Sequence, residues 1–184
     1  MNNLRIIFQG KTGKLDGLVI RYPRIEDLKL MHNYINKLSK ERTFIIFQGE
    51  EITEKEEKNY IKNYLEKIRK KQALPLICLK ENDLISVADI IMKERNQKHV
   101  GILGLTVAKK YRGMGIGRLM MKLLLQHAKN KLPELKIITL NVFAENKIAF
   151  NLYKKFGFKQ YGVLPNGTYF RDKLMDYVEM YREI

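Results

Sequence analysis

Cysteine is nearly missing from this chain of 184 residues, with Cys78 standing alone. One thiol excludes an internal disulfide and any thiolate-cluster metal site. Its setting, Leu74-Pro75-Leu76-Ile77-Cys78-Leu79, reads as a buried and inert position. Long apolar runs are missing too: nothing approaches the ~18 consecutive residues of a membrane-spanning helix. Met1-Asn2-Asn3-Leu4-Arg5 leads into no apolar stretch of the signal-peptide kind. A soluble, cytoplasmic protein with no membrane partner is therefore expected. Repeats, low-complexity tracts and linker-like segments are lacking as well. With 45% of residues apolar, the chain has enough to bury a real core, so a single domain over 1–184 is expected.

Acidic residues are scarce: 20 Asp plus Glu face 35 Lys plus Arg, a net charge of +15. The shortage is local. No Asp or Glu occurs in the thirty-nine positions from Arg95 to Pro133, which hold Lys109, Lys110, Arg112, Arg118 and Lys122 among others. That stretch should meet an anion. The segment from Glu50 to Glu57 reverses the balance, with Glu50, Glu51, Glu54, Glu56 and Glu57 against Lys55.

Pattern then suggests the elements. Leu4 to Phe8 and Leu18 to Tyr22 read as strands around a turn containing Gly10, Gly13 and Gly17. Leu28, Met31, Ile35 and Leu38 give helical spacing from Ile25 to about Lys40, and Thr53-Glu54-Lys55-Glu56 is a capping box opening a second helix. Three strands follow, Leu74 to Lys80, Leu84 to Glu94 and His99 to Ala108, as an antiparallel meander. A helix from Gly115 to about Asn130 should bury Ile116, Leu119, Met120, Leu123, Leu124 and His127. Lys136 to Phe143 reads as a strand, Asn146 to Phe156 as a helix, and Phe158 to Val163 and Leu174 to Arg182 as closing strands. The order describes an α/β domain with a mixed sheet.

The most informative segment joins a strand to an amphipathic helix: Val107-Ala108-Lys109-Lys110-Tyr111-Arg112-Gly113-Met114-Gly115-Ile116-Gly117-Arg118. Backbone N–H groups at a helix start lack intrahelical partners and sit at the positive end of the helix dipole, so a glycine-rich approach there suits a pyrophosphate. Arg112 and Arg118 add mobile positive charge. The spacing of Gly113, Gly115 and Gly117 does not fit G-x-G-x-x-G, and Gly117-Arg118-Leu119 does not fit an ATP-type loop.

Arg112-x-x-Gly115-x-Gly117, placed after a strand ending in Val107, resembles the GNAT superfamily of acetyl-CoA-dependent N-acetyltransferases. Asn146-x-x-Ala149-x-x-Leu152-Tyr153-x-x-Phe156-Gly157-Phe158 looks like that family's second cofactor motif. The resemblance implies a GNAT-like mixed, mostly antiparallel sheet, splayed at the cofactor site and flanked by four helices. It implies acetyl-CoA as cosubstrate, transfer to a primary amine of a small molecule or peptide N-terminus in a ternary complex, and a monomer or homodimer. By the same resemblance, Leu105, Thr106 and Val107 would offer backbone groups to the pantetheine arm. Arg112, Gly113, Met114, Gly115, Ile116, Gly117 and Arg118 would hold the pyrophosphate, Asn146 would touch the cofactor, and Tyr153 would lie near the sulfur as general acid.

The sequence departs from the family at the base: the positions that carry a Glu in many members hold Ile102 and Asn141. Deprotonation then falls to a water, held by Asn141 or free, to an amine already neutral, or to Asp89 on the neighbouring meander strand. Glu50 and Glu51 would draw the acceptor's ammonium. Two other classes compete. A nucleic-acid-binding module is suggested by the +15 charge, but the basic residues gather on one loop–helix unit that a cofactor explains, and no RRM, KH or zinc-finger signature occurs, so no nucleic-acid partner is expected. An inactive acetyl-CoA sensor is suggested by the empty base positions.

Overall fold

The computed structural model describes residues 6–13 and 15–184. Its strands are β1 (Ile6–Thr12), β2 (Leu15–Arg21), β3 (Ala73–Lys80), β4 (Asp83–Met92), β5 (Val100–Val107), β6 (Ile137–Phe143), β7 (Lys159–Phe170) and β8 (Lys173–Glu183). Its helices are α1 (Leu28–Lys40), α2 (Glu54–Arg69), α3 (Ile116–Lys131) and α4 (Lys147–Lys155). All eight strands form one sheet in the order β1-β2-β3-β4-β5-β6-β8-β7. Neighbours run antiparallel except β5 and β6, which are parallel. The mixed, mostly antiparallel sheet with four helices is therefore as expected.

Strand alternation sends side chains to two separate cores. On one face Leu18, Ile20, Leu74, Leu76, Cys78, Ala88, Ile90 and Leu103 pack against Ile116, Met120, Met121 and Leu124 of α3. On the other, Ile77 and Leu84 meet Met31, Tyr34 and Leu38 of α1 and Ile61 of α2. The centre of the sheet is buried on both faces, which explains why β3 reads as nearly continuous apolar sequence. Cys78 lies inside, and burial pushes its thiol up to about 12.

Several boundaries differ from the sequence reading. Leu4 and Arg5 lie outside the described residues. Gly10 and Gly17 fall within β1 and β2, where the register shifts between Gly10 and Thr12, so that of the three glycines only Gly13 belongs to the turn. α1 is entered through a short 3-10 turn, Ile25–Asp27. It is anchored by a buried bidentate pair, Arg21 to Asp27, at 2.7 Å for each bond. The buried face of α3 is rotated from the expected one, with Met121 and Ala128 fully inside and His127 only partly buried. The reason is that the contact runs along the i, i+4 row of Ile116, Met120, Leu124 and Ala128. β7 extends through Gly167 to Phe170, making a long hairpin with β8. The capping box is present: Thr53 Oγ1 accepts from Glu56 N–H at 3.3 Å, and Glu56 accepts from Thr53 N–H at 2.8 Å. Among the described residues no helix is long and apolar enough to cross a membrane.

Candidate active site

β5 and β6 pair for three residues only, Val100 with Ile137, Gly101 with Ile138 and Ile102 with Thr139, and then part, although both strands continue. The phase of the flanking ladders shows what the gap exposes. Ala108 N–H donates to Ile85 C=O at 2.9 Å and Lys93 N–H to Val100 C=O at 2.8 Å. Backbone groups of Ile102, Gly104 and Thr106 therefore face β4, and those of Leu103, Leu105 and Val107 face the gap. On the far side Ala144 N–H donates to Asp176 C=O and Ile184 N–H to Lys136 C=O, both at 3.0 Å. That turns Leu140 and Val142 toward β8 and Asn141 toward the gap. The open groups are the C=O of Leu103, both groups of Leu105, the N–H of Val107 and both groups of Asn141. Backbone hydrogen-bonding groups seldom go unmatched, so this edge is built to receive an extended polar chain.

Thr106, one of the three expected contacts on this strand, is differently placed. Its C=O accepts from Ser86 Oγ at 2.6 Å, its Oγ1 is hydrogen-bonded to Tyr34 Oη at 2.9 Å, and its backbone faces β4. Leu103, which the sequence reading passed over, takes its place. The alternation of a strand, rather than the local motif, decides this.

The glycine loop lies at the end of the same strand. Gly113 and Gly115 have φ of +77° and +85°, a region that L side chains seldom occupy. The first helical bond of α3 runs from Leu119 N–H to Gly115 C=O at 3.0 Å, leaving the N–H groups of Ile116, Gly117 and Arg118 without helical acceptors. Met114, Gly115 and Arg118 are exposed. Arg112 is not the mobile cation that the sequence suggests. Its Nε donates to Val107 C=O at 2.8 Å and its Nη2 pairs with Glu41 at the end of α1. The guanidinium braces the strand end against α1, and Glu41 is a partner that no local pattern announces.

The two glycine-containing motifs meet at Gly117. A Cβ there would stand 3.5 Å from Leu152 of α4, 3.8 Å from Leu105 and 3.9 Å from Val107. Asn146 caps α4, its side-chain oxygen accepting from Ala149 N–H at 3.2 Å, so only its amide N–H groups remain to donate. Tyr153 is buried in α4 against Phe158. Burial, with Tyr177 nearby, pushes its phenol up to about 12.

The opposite wall comes from the α1–α2 connection. It is tied to α1: Ser39 Oγ donates to Glu50 C=O at 2.6 Å, Asn36 exchanges two bonds of 2.9 Å with Ile52, and His32 Nε2 lies 2.7 Å from Ile52 C=O. Phe44 from this segment stacks on Phe170 at 4.4 Å and packs on Phe143 at 5.6 Å, covering the end of β6. Glu50 and Glu51 are exposed. Backbone N–H groups of its own turn, Glu50 and Gln48, hold the Glu50 carboxyl below the usual range.

Of the two positions that usually hold the base, Ile102 is 48% exposed and Asn141 is exposed. Asp89 is half-buried rather than exposed. It sits on β4 opposite Gly104, its Oδ1 accepting from Gly104 N–H at 3.1 Å and its Oδ2 from the Tyr64 hydroxyl of α2. Burial raises its pKa to about 6, although both hydrogen bonds act against the rise. The structure thus brings Leu105, Val107, Asn141 and the glycine loop to the edges of the gap, and Asp89 to Gly104 and to Tyr64, a neighbour that the sequence reading missed; Tyr153 lies in the core against Phe158.

Comparisons with known proteins agree with this geometry. A 58-residue stretch is 41% identical to the "Probable spermine N(1)-acetyltransferase" of Bacillus subtilis subsp. natto (strain BEST195), covering 32% of this chain and 38% of that protein. The match therefore spans well under half of that relative. Among solved structures, a GNAT-family acetyltransferase from Streptococcus pneumoniae superposes with a TM-score of 0.83 at 24% identity, covering 91% of this chain and 99% of the other. YncA, a putative acetyltransferase from Salmonella typhimurium solved with acetyl-CoA as its cofactor, gives 0.78 at 14% identity over 91% and 94% of the two chains. The model of the Acetyltransferase (GNAT) family matches residues 34–158. With the splayed parallel pair, the glycine loop at its end and a family match across most of its length, this chain belongs to the GNAT acetyltransferase family.

Proposed function

We propose that this chain moves an acetyl group from acetyl-CoA to the primary amine of a small molecule or a peptide N-terminus, with both substrates bound together. The observation that carries this reading is the parting of β5 and β6 after Ile102 and Thr139, directly before the glycine loop. Acetyl-CoA supplies an activated thioester as cosubstrate. Leu103 and Leu105 accept and donate along its pantetheine arm, while the N–H groups at the start of α3, together with Arg118, suit the pyrophosphate. Gap-facing N–H groups of Leu105, Val107 and Asn141 are the available donors to a carbonyl oxygen that gains charge during transfer. Asn146 donates from the cap of α4.

Tyr153 acts on the departing sulfur. A thiol titrates near ~8.5, well below this phenol, so Tyr153 donates a hydrogen bond to the thiolate and solvent completes its protonation. Glu50 and Glu51 draw an ammonium toward the gap against the overall positive charge. The relative named for spermine favours an alkyl amine as acceptor.

The test is a thiol-release assay with acetyl-CoA over a panel of primary amines, polyamines and peptides, with product mass read in parallel. Amine-dependent release with a gain of one acetyl group is expected. Tight cofactor binding with no amine raising release above hydrolysis would favour a non-catalytic acetyl-CoA sensor.

A further inference from the structure

The acetyl-transfer reading needs a proton acceptor, and Ile102 and Asn141 are not one. Gly104 lies opposite Asp89 in the ladder, on β5 just past its last pair with β6. A Cβ at position 104 would stand 2.6 Å from Asp89 Oδ1, closer than a side chain tolerates. The carboxylate thus lies across the bare backbone of Gly104, the residue between Leu103 and Leu105, whose backbone groups face the gap. Tyr64 fixes its other oxygen. Each carboxylate oxygen keeps a lone pair beyond the bond it already accepts.

Titratable groups of α1 and α2 lie on this side of the sheet, beside the Arg21–Asp27 and Arg112–Glu41 pairs. α2 contributes Tyr64, Tyr60 and Glu57; α1 contributes Tyr34, whose hydroxyl is held by Thr106, and His32, which acts on Glu57. Opposite Asp89 on β3 is Pro75, and β5 offers only Gly104 and Thr106. Among the described residues no lysine or arginine perturbs Asp89. Tyr60 stacks on Tyr64 with ring centroids 5.2 Å apart.

Resting on the acetyltransferase reading, we propose that Asp89 takes the proton of the acceptor ammonium, that Tyr64 positions its carboxylate, and that the missing side chain at Gly104 gives it access to the gap. The ammonium's proton moves to Asp89, leaving a neutral amine whose lone pair forms the C–N bond as the C–S bond breaks. The nitrogen's second surplus proton leaves to solvent, the thiolate gains one from solvent, and Asp89 returns its own to water. One proton is released per turnover. Asp89 titrates near 6, so it is ionised and ready at neutral pH.

The experiment is the pH profile of kcat/KM for one alkyl amine with the parent, Asp89→Asn, Tyr64→Phe and Gly104→Ala, and with acetyl-CoA affinity measured by calorimetry for each. The parent should rise through about pH 6 and level off. Asp89→Asn should lose ~10²–10⁴-fold at neutral pH and keep rising toward the amine's own pKa, near ~10.4. Tyr64→Phe should move the acid limb to higher pH, because the lost hydroxyl favoured the ionised carboxylate. Gly104→Ala should lower the plateau with cofactor affinity retained. If Asp89→Asn fails to bind cofactor, the Tyr64→Phe displacement decides alone. A parent profile that rises unbroken toward the amine's pKa, or a Tyr64→Phe limb that stays in place, overturns the proposal while leaving the acetyltransferase reading intact. No acetylation of any amine overturns both.

Discussion

Asp89 weakens the fold once it ionises, and the effect has a calculable dependence on pH. Burial carries its pKa from 3.8 to about 6 in the folded chain, whereas in the unfolded chain it titrates near ~3.9. The folded state holds the proton more tightly. Its contribution is thus most favourable below the unfolded value, declines as pH rises through the two values, and levels off about one unit above the folded one. A rise of about two pH units at ~1.4 kcal/mol each corresponds to about 3 kcal/mol, of which roughly two-thirds is lost between about pH 4.5 and 7.5. Asp89→Asn preserves the shape and removes the titration. The stability of the variant relative to the parent should therefore improve by about 2 kcal/mol across that range. Urea unfolding of both proteins at several pH values measures this, and taking the difference cancels the other carboxylates, which the two chains share. A difference that is flat with pH, or that moves the other way, would refute the raised pKa of Asp89. A carboxylate kept at such a cost is what a functional role would lead one to expect.

Gly115→Asp should abolish acetyl-CoA binding by calorimetry, because φ of +85° strains any side chain there, Thr12 Oγ1 stands 3.1 Å from a new Cβ, and the added charge repels phosphate; unchanged affinity would remove the loop from the site. Tyr153→Phe should leave folding and cofactor affinity intact and slow kcat by about 10–100-fold, the worth of one hydrogen bond to a charged sulfur; parent-like turnover would show that the hydroxyl has no part in the reaction. Replacing Glu50 and Glu51 together by Gln should raise the acceptor KM, more at low ionic strength than at high, with cofactor affinity unchanged; an unchanged acceptor KM would assign both glutamates to solvation alone.

The glycine loop, the second motif and the element order were legible along the chain because each rests on local chemistry. A glycine allows positive φ wherever it stands, a Thr-x-x-Glu box caps a helix with its own four residues, and apolar period follows from helix or strand geometry. Those signals suffice for the family and for the position of Gly113, Gly115 and Asn146. What they leave open depends on neighbours distant in sequence. Glu41 captures Arg112 across 71 positions, and Ser39, Asn36 and His32 tie down the α1–α2 connection. Leu103 rather than Thr106 offers its backbone to the gap because the ladder to β4 fixes which way each residue of β5 turns. Asp89 is an ordinary half-polar strand position until Tyr64 comes over it from α2 and Gly104 leaves space beside it. A residue's type and spacing state what it is able to do, but which lone pair stays free and which charge loses its water are set by the groups that packing brings alongside, and these come together only when the sheet is assembled.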